Sequence, residues 1–158
     1  MVDKEELASP FFPLSDDYRA RDFPLYWVAR LNAKYSAEVD ALLKPLGLSS
    51  SKWRVLMILH EQGRLSMSDI ATHVVAKLST VTKIVYKMQE TGLLETAPSP
   101  QDGRVTEVAL TEDGEAKLAE ARGLTGRIVE KAFDGLEKDE IVYVNQCLSK
   151  MFRNLNAI

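Results

Sequence analysis

The chain has 158 residues, 46% apolar and 27% charged, with a formal net charge of −3 and one cysteine. That length fits one domain, or one domain with an appended dimerisation element, and the composition is that of an ordinary globular protein. No apolar run approaches the roughly 18 residues of a membrane span, one cysteine excludes an internal disulfide framework, and an acidic whole can still carry a local basic stripe.

Residues 1–21 mix acidic residues with Pro10, Phe11, Phe12 and Pro13, which predicts an irregular arm available to a partner subunit. The start MVDKEELASP lacks the basic-then-apolar order of a secretory signal, so a reducing cytoplasm is the expected location. From Asp22 onward Phe23, Trp27, Leu31, Tyr35, Val39 and Leu42 recur at steps of three and four, the period of a helix, which Pro45 and Gly47 end. Ser49 to Ser51 offer caps for a second helix, with Trp53, Leu56, Met57 and His60 on one face until Gly63. Ser66 with Asp69 resembles a capping box and opens a short third helix to about His73.

A fourth helix, about 78 to 91, has Leu78, Val81, Ile84, Val85 and Met88 as its apolar stripe and stops at Gly92. With that stripe toward the core, Ser79, Thr80, Thr82, Lys83, Tyr86 and Lys87 face away from it. Next come two short β-like segments joined by SPQDGRV, where Pro100, Asp102 and Gly103 supply turn chemistry and Arg104 sits at the tip. Thr111 caps a fifth helix reaching about Phe133. A sixth, after Gly135, carries Ile141, Val144, Leu148, Met151 and Leu155 in alternating steps of three and four.

Helix, short helix, turn, helix, hairpin is the order of a winged helix-turn-helix, which holds the fourth helix outward. The fold expected is therefore mainly α, with a small β-hairpin wing and dimerisation helices at both ends of the chain. Hydroxyls near the start of the outward helix suit base edges or phosphates of double-stranded DNA, and lysines further along suit phosphates. Arg104 at the wing tip is suited to the neighbouring minor groove, whose negative potential attracts a guanidinium. Any outward helix face is commonly just solvated; the weight lies in the order and spacing of the elements.

Asp102-x-Arg104 followed by Leu110-Thr111-x-x-Gly114 resembles the wing signature of the MarR family, the multiple antibiotic resistance regulators. LSTVTKIVYKMQETGLLE, residues 78 to 95, is similar to that family's recognition helix and first wing strand, and Leu65-Ser66-x-x-x-Ile70-Ala71 to the approach to it. The resemblance covers about residues 22 to 156 by order of elements, with specific motifs from 49 to 114. It implies a homodimeric cytoplasmic regulator, usually a repressor, that releases a palindromic operator when a small aromatic or phenolic acid binds between the dimerisation helices and the winged domain. It also implies DNA contacts by Ser79, Thr80, Lys83 and Arg104, with Asp102 positioning neighbouring basic groups. Thr82, Lys87 and Lys77 join the DNA-facing set on the residue reading. Two positions depart from the pattern: Gly103 stands where many members have a second arginine, and Lys77 stands where a helix cap is usual, a role its side chain cannot fill.

Three parts are expected: an arm and first dimerisation helix over 1–48, the DNA-binding domain over 49–114, and dimerisation helices over 115–158. The seam at Ile141, Val144, Leu148, Met151 and Leu155 is narrow, like that of a coiled coil, and needs a cover. A second subunit supplies one; packing on residues 23–42 of the same chain is the alternative. Trp27, Arg30, Trp53 and His60 are the effector-pocket candidates, because aromatic walls and a cation suit an aromatic carboxylate. Trp27 and Trp53 are equally explicable as core.

Other chemistry is sparse. Two histidines and Cys147, far apart, lack zinc spacing, and Cys147 reads as a structural thiol beside the seam. Ser66, Asp69 and His73 share one short helix without a nucleophile elbow, and no glycine loop for phosphates occurs. No cofactor and no enzymatic activity are expected. A winged helix serving as a protein-protein module without DNA binding, or an activator of the same fold, are the competing functions.

Overall fold

The computed structural model describes residues 15–157, so the proline- and phenylalanine-bearing start of the arm lies outside the described residues. After a 3-10 turn at Ala20–Asp22, helix α1 spans Pro24–Leu43 with its proline in the first turn, where no backbone N–H is needed. A second 3-10 turn, Lys44–Leu46, ends at Gly47, whose φ of +69° lets the chain reverse. Helix α2, Ser50–Gln62, starts under Ser49, whose hydroxyl accepts the Lys52 N–H at 3.3 Å; Asp40 Oδ1 accepts the Ser50 N–H at 2.6 Å and ties α1 to it.

Strand β1, Leu65–Ser66, leads into α3, Met67–Val74. Ser66 Oγ accepts the Asp69 N–H at 3.1 Å and donates to the Asp69 carboxylate at 2.6 Å. Helix α4, Leu78–Glu90, comes next, followed by β2, Leu94–Pro98, and β3, Thr106–Leu110. Helix α5, Glu112–Ala132, and helix α6, Lys138–Leu155, complete the chain.

The sheet is antiparallel in the order β1-β3-β2, with Leu65 opposite Val108 and Thr96 also opposite Val108. The expected hairpin wing is β2 with β3, and β1 adds a third strand to its sheet. Leu65 and Ser66 are too few to show a period of two, and only β3 gives them a partner. Val39, Leu43, Leu56, Ile70, Val81, Val85 and Met88 are among the fully buried side chains of one core beneath α2, α3, α4 and the sheet. One member of the expected apolar stripe is not in it. Leu78 is 50% exposed, since the first residue of a helix has no preceding turn to pack beside.

The Leu-Thr-x-x-Gly motif closes the wing on the next helix. Thr111 Oγ1 accepts the Gly114 N–H at 3.0 Å, capping α5, and donates to the Gly92 carbonyl at 2.6 Å. Gly114 then lies so close to the residue just before β2 that a Cβ there would sit 2.2 Å from the Leu93 carbonyl oxygen. The glycine is dictated by backbone approach.

Candidate nucleic-acid interface

Helix α4 presents two faces. Val81, Val85 and Met88 are fully buried, so its opposite side, with Ser79, Lys83, Tyr86 and Lys87, stands exposed. Thr80 is exposed near the helix start, and Lys77 precedes the helix without capping it through its side chain. Thr82 is half-buried and its hydroxyl donates to the Leu78 carbonyl at 2.8 Å, so that proton is already engaged within the helix.

Lys52, on α2, is a cation that the sequence reading did not single out. Its Nζ donates to the Gly47 carbonyl at 2.7 Å. Burial lowers its pKa, and the neighbouring Lys87 charge lowers it further. The two ammonium groups, one on α2 and one on α4, are within electrostatic reach of each other, a repulsion that a phosphate bound there would relieve. No periodicity could have shown this, because the two lysines meet only in the folded domain.

The wing tip, residues 99–105, is held by its own backbone: Ser99 N–H donates to the Val105 carbonyl and Val105 N–H to the Asp102 carbonyl, both at 2.8 Å. Arg104 donates Nε to Asp102 Oδ1 at 3.1 Å and Nη2 to Oδ2 at 3.0 Å, a two-pronged fork. The Arg104 side chain is nonetheless 91% exposed. Hydrogen bonding from Arg104 holds the Asp102 carboxyl below its usual range. The carboxylate thus aims the guanidinium while leaving its outer edge to solvent. A side chain at Gly103 would meet open space, and as a glycine it adds no second cation beside Arg104.

The four effector candidates separate into different environments. Trp27 is 53% exposed and donates Nε1 to the Arg21 carbonyl at 2.7 Å, while the Arg30 guanidinium lies 5.4 Å from the centre of the Tyr26 ring. Both line a cavity of about 590 Å³ with Leu31, Ala33 and Lys34. Trp53 is buried in the winged-domain core, and His60 sits between Glu115 (2.8 Å) and Arg122 (3.3 Å), joining α2 to α5. Neither lines the cavity that Trp27 and Arg30 share, so the four expected residues do not come together in one cavity: α2 turns Trp53 inward and His60 toward α5. A second cavity of about 410 Å³, between α1 and α5, has Tyr35, Leu42 and Ile128 as apolar walls and Lys34, Arg127 and Lys131 as cations. It shares Leu31 and Lys34 with the first.

Among the described residues, helix α6 has no buried residue and packs extensively on no other element. The alternative of intrachain cover by residues 23–42 is therefore not realised. Val144, Leu148, Met151 and Leu155 are exposed and Ile141 is half-buried; Phe152, four residues past Leu148, lies on the same stripe. Leu25, Trp27, Val28 and Leu31 on α1 are exposed as well. Cys147 is half-buried beside the stripe. Among the described residues no helix is long and apolar enough to cross a membrane.

Residues 48–106 match the model of the MarR family. The chain is 45% identical over 146 residues to the HTH-type transcriptional repressor IacR of Pseudomonas putida, covering 92% of this chain and 87% of that one. Its fold is similar to a MarR family transcriptional regulator from Silicibacter pomeroyi, with a TM-score of 0.80, 26% identity, and 85% and 90% of the two chains covered. It is also similar to BpsR of Bordetella bronchiseptica, whose DNA binding is regulated by 6-hydroxynicotinic acid; there the TM-score is 0.73, the identity 25%, and the coverage 85% and 96%.

Proposed function

The chain belongs to the MarR family of transcription regulators, and from that premise we propose that it works as a homodimeric repressor of a palindromic operator. Each α4 enters a major groove of double-stranded DNA, and each wing carries Arg104 into the flanking minor groove. The observation that carries this reading is the pairing of an outward, hydroxyl- and lysine-bearing α4 face with a wing arginine aimed by Asp102. Ser79, Thr80 and Lys83 read or position, Lys77, Lys87 and Lys52 neutralise phosphates, and Thr82 contributes chiefly its methyl group.

Two half-sites must lie about 34 Å apart to be reached from one face of the duplex, so the dimer interface sets the spacing. The uncovered apolar stripes of α1 and α6 support assembly through these helices. Leaving a leucine-sized side chain in water forgoes about 1.5–3 kcal/mol, and the α6 stripe alone holds six apolar side chains.

Release follows when a small aromatic carboxylate binds beside α1. Trp27 supplies aromatic surface, and Arg30 supplies the guanidinium that grips a carboxylate with two parallel bonds. Regulation of the Bordetella relative by an aromatic acid supports the class. The ligand acts only through its unequal affinity for the DNA-competent and incompetent spacings of the dimer.

The test begins with fragments of the protein's own genome retained by the full chain, followed by gel shift against random duplex. Calorimetry with benzoate, hydroxybenzoates and 6-hydroxynicotinic acid then reads the effector. We expect one or more acids to bind and to weaken operator binding, with Arg30→Ala losing that response while keeping DNA affinity. Equal affinity for operator and random duplex would reject specific DNA recognition and favour a protein-protein role. An Arg30→Ala protein that still responds to the acid would reject the pocket.

A further inference from the structure

Val75 ends α3 with φ 55° and ψ 53°, the left-handed region, and is the one non-glycine residue with positive φ among the described residues. Its N–H donates to the Thr72 carbonyl at 3.3 Å, and the next N–H, that of Ala76, to the Ala71 carbonyl at 3.0 Å, the closure that a glycine or asparagine usually makes. A β-branched side chain is the least suited to this conformation. Packing does not compensate, because Val75 is 87% exposed. Three residues later Leu78, the first residue of α4, is also half out in solvent. Two aliphatic side chains thus stand at the leading end of the DNA-facing helix, on either side of Lys77 and next to Ser79.

A strained, exposed residue is a reason to look for what it touches. In a helix-turn-helix the first residues of the recognition helix reach the base edges. In the major groove the apolar feature at those edges is the C5-methyl of thymine. We propose that Val75 and Leu78 form an apolar contact that reads thymine methyl groups in the operator and so determine part of its sequence. This rests on the DNA-binding reading above and adds residues to it that polar chemistry would not select. The flanking Lys77, Lys83 and Lys87 make a protein partner of apolar chemistry the poorer fit for so small a patch, whereas a polyanion with methyl groups in its groove satisfies both.

The full chain is used to enrich duplexes from a random-sequence library, and the best-bound duplex is remade with deoxyuridine for every thymidine. That exchange deletes the methyl group and leaves the hydrogen-bonding edge intact. Burial of a methyl-sized group predicts a loss of about fourfold in affinity per methyl contacted. Val75→Asn keeps a residue that tolerates the left-handed region, so it folds, and Leu78→Ala shortens the second contact. Both variants should bind the thymidine duplex more weakly and bring the thymidine-to-deoxyuridine affinity ratio toward one. Indifference of the unaltered protein to the exchange would overturn the inference, and so would variants that keep its full ratio, since the methyls would then be sensed elsewhere. Enrichment of no duplex would instead overturn the DNA-binding reading, and this inference with it.

Discussion

The winged domain and the terminal helices are built on opposite terms. Among the described residues every fully buried large side chain lies from Val39 to Leu118, and none beyond Thr125 is buried. The winged domain closes its core within one chain, using Val39 and Leu43 of α1 and Leu118 and Ala121 of α5, and its wing is locked to α5 by Thr111 and Gly114. Helix α6 and the first half of α1 are regular helices with apolar sides facing water. The surface that would meet bases is therefore built within one chain, while in the dimer proposed above the distance between two such surfaces would be left to an interface between chains. Ligand control of spacing requires that division.

The largest expected effect comes from breaking the incomplete half. Leu148→Arg puts a cation in the α6 stripe; an unpaired buried charge costs about 3–5 kcal/mol, enough to dissociate a dimer at micromolar concentration. Sedimentation should show monomer and operator affinity should collapse. The near-ultraviolet signal of buried Trp53 should persist, since its core is independent of α6. A fully dimeric Leu148→Arg protein would mean that the seam lies elsewhere.

Gly114→Ala should produce the reverse pattern. Its new methyl meets a backbone carbonyl, which cannot swing aside as a side chain would. Overpacking of this kind costs about 1–3 kcal/mol or more. A lowered melting temperature with an unaltered dimer dissociation constant is the expected result. Unchanged stability would show that the wing and α5 are not locked at this point.

The same division decides what could be read from the sequence. Caps, glycine stops and the period of α4 are local, and the winged order follows from them, as do Ser49, Ser66 and Thr111 as helix starts. The pairing of Leu65 with Val108 and the approach of Lys52 to Lys87 join residues distant in the chain, and no spacing announces them. Trp27 and Trp53 illustrate the same limit: both sit on helical apolar faces, yet one face meets the core and the other meets water. Leu78 fits the stripe by period and leaves the core by position, because a helix end lacks a neighbouring turn. Phe152 was hidden by the regularity of the narrower seam.

Within the closed half, Arg104→Ala should lower operator affinity by about 1–3 kcal/mol if its guanidinium enters a groove. Its side chain is 91% exposed, so melting temperature and dimerisation should not move. Lys87→Ala should weaken operator and random duplex alike and reduce the salt slope by about one, as a phosphate contact does. Binding unaltered in both variants would sink the assignment of this face.

The smallest effect separates the needs of folding from those of binding at one residue. Val75 in the left-handed region costs about 1–2 kcal/mol relative to ordinary backbone. Glycine removes that strain but widens the unfolded ensemble, which returns about 0.4–1 kcal/mol. The strain relief is the larger quantity, and almost no packing is lost from a side chain this exposed. Val75→Gly should therefore stabilise the chain by roughly half to one kcal/mol, a rise of about 2 °C in melting temperature for a domain of this size. Operator affinity should fall at the same time, by the loss of the proposed methyl contact. A variant that is both more stable and equally tight would show that the strain at Val75 serves neither the fold nor the DNA. A less stable variant would show that the valine side chain contributes packing that its exposure conceals.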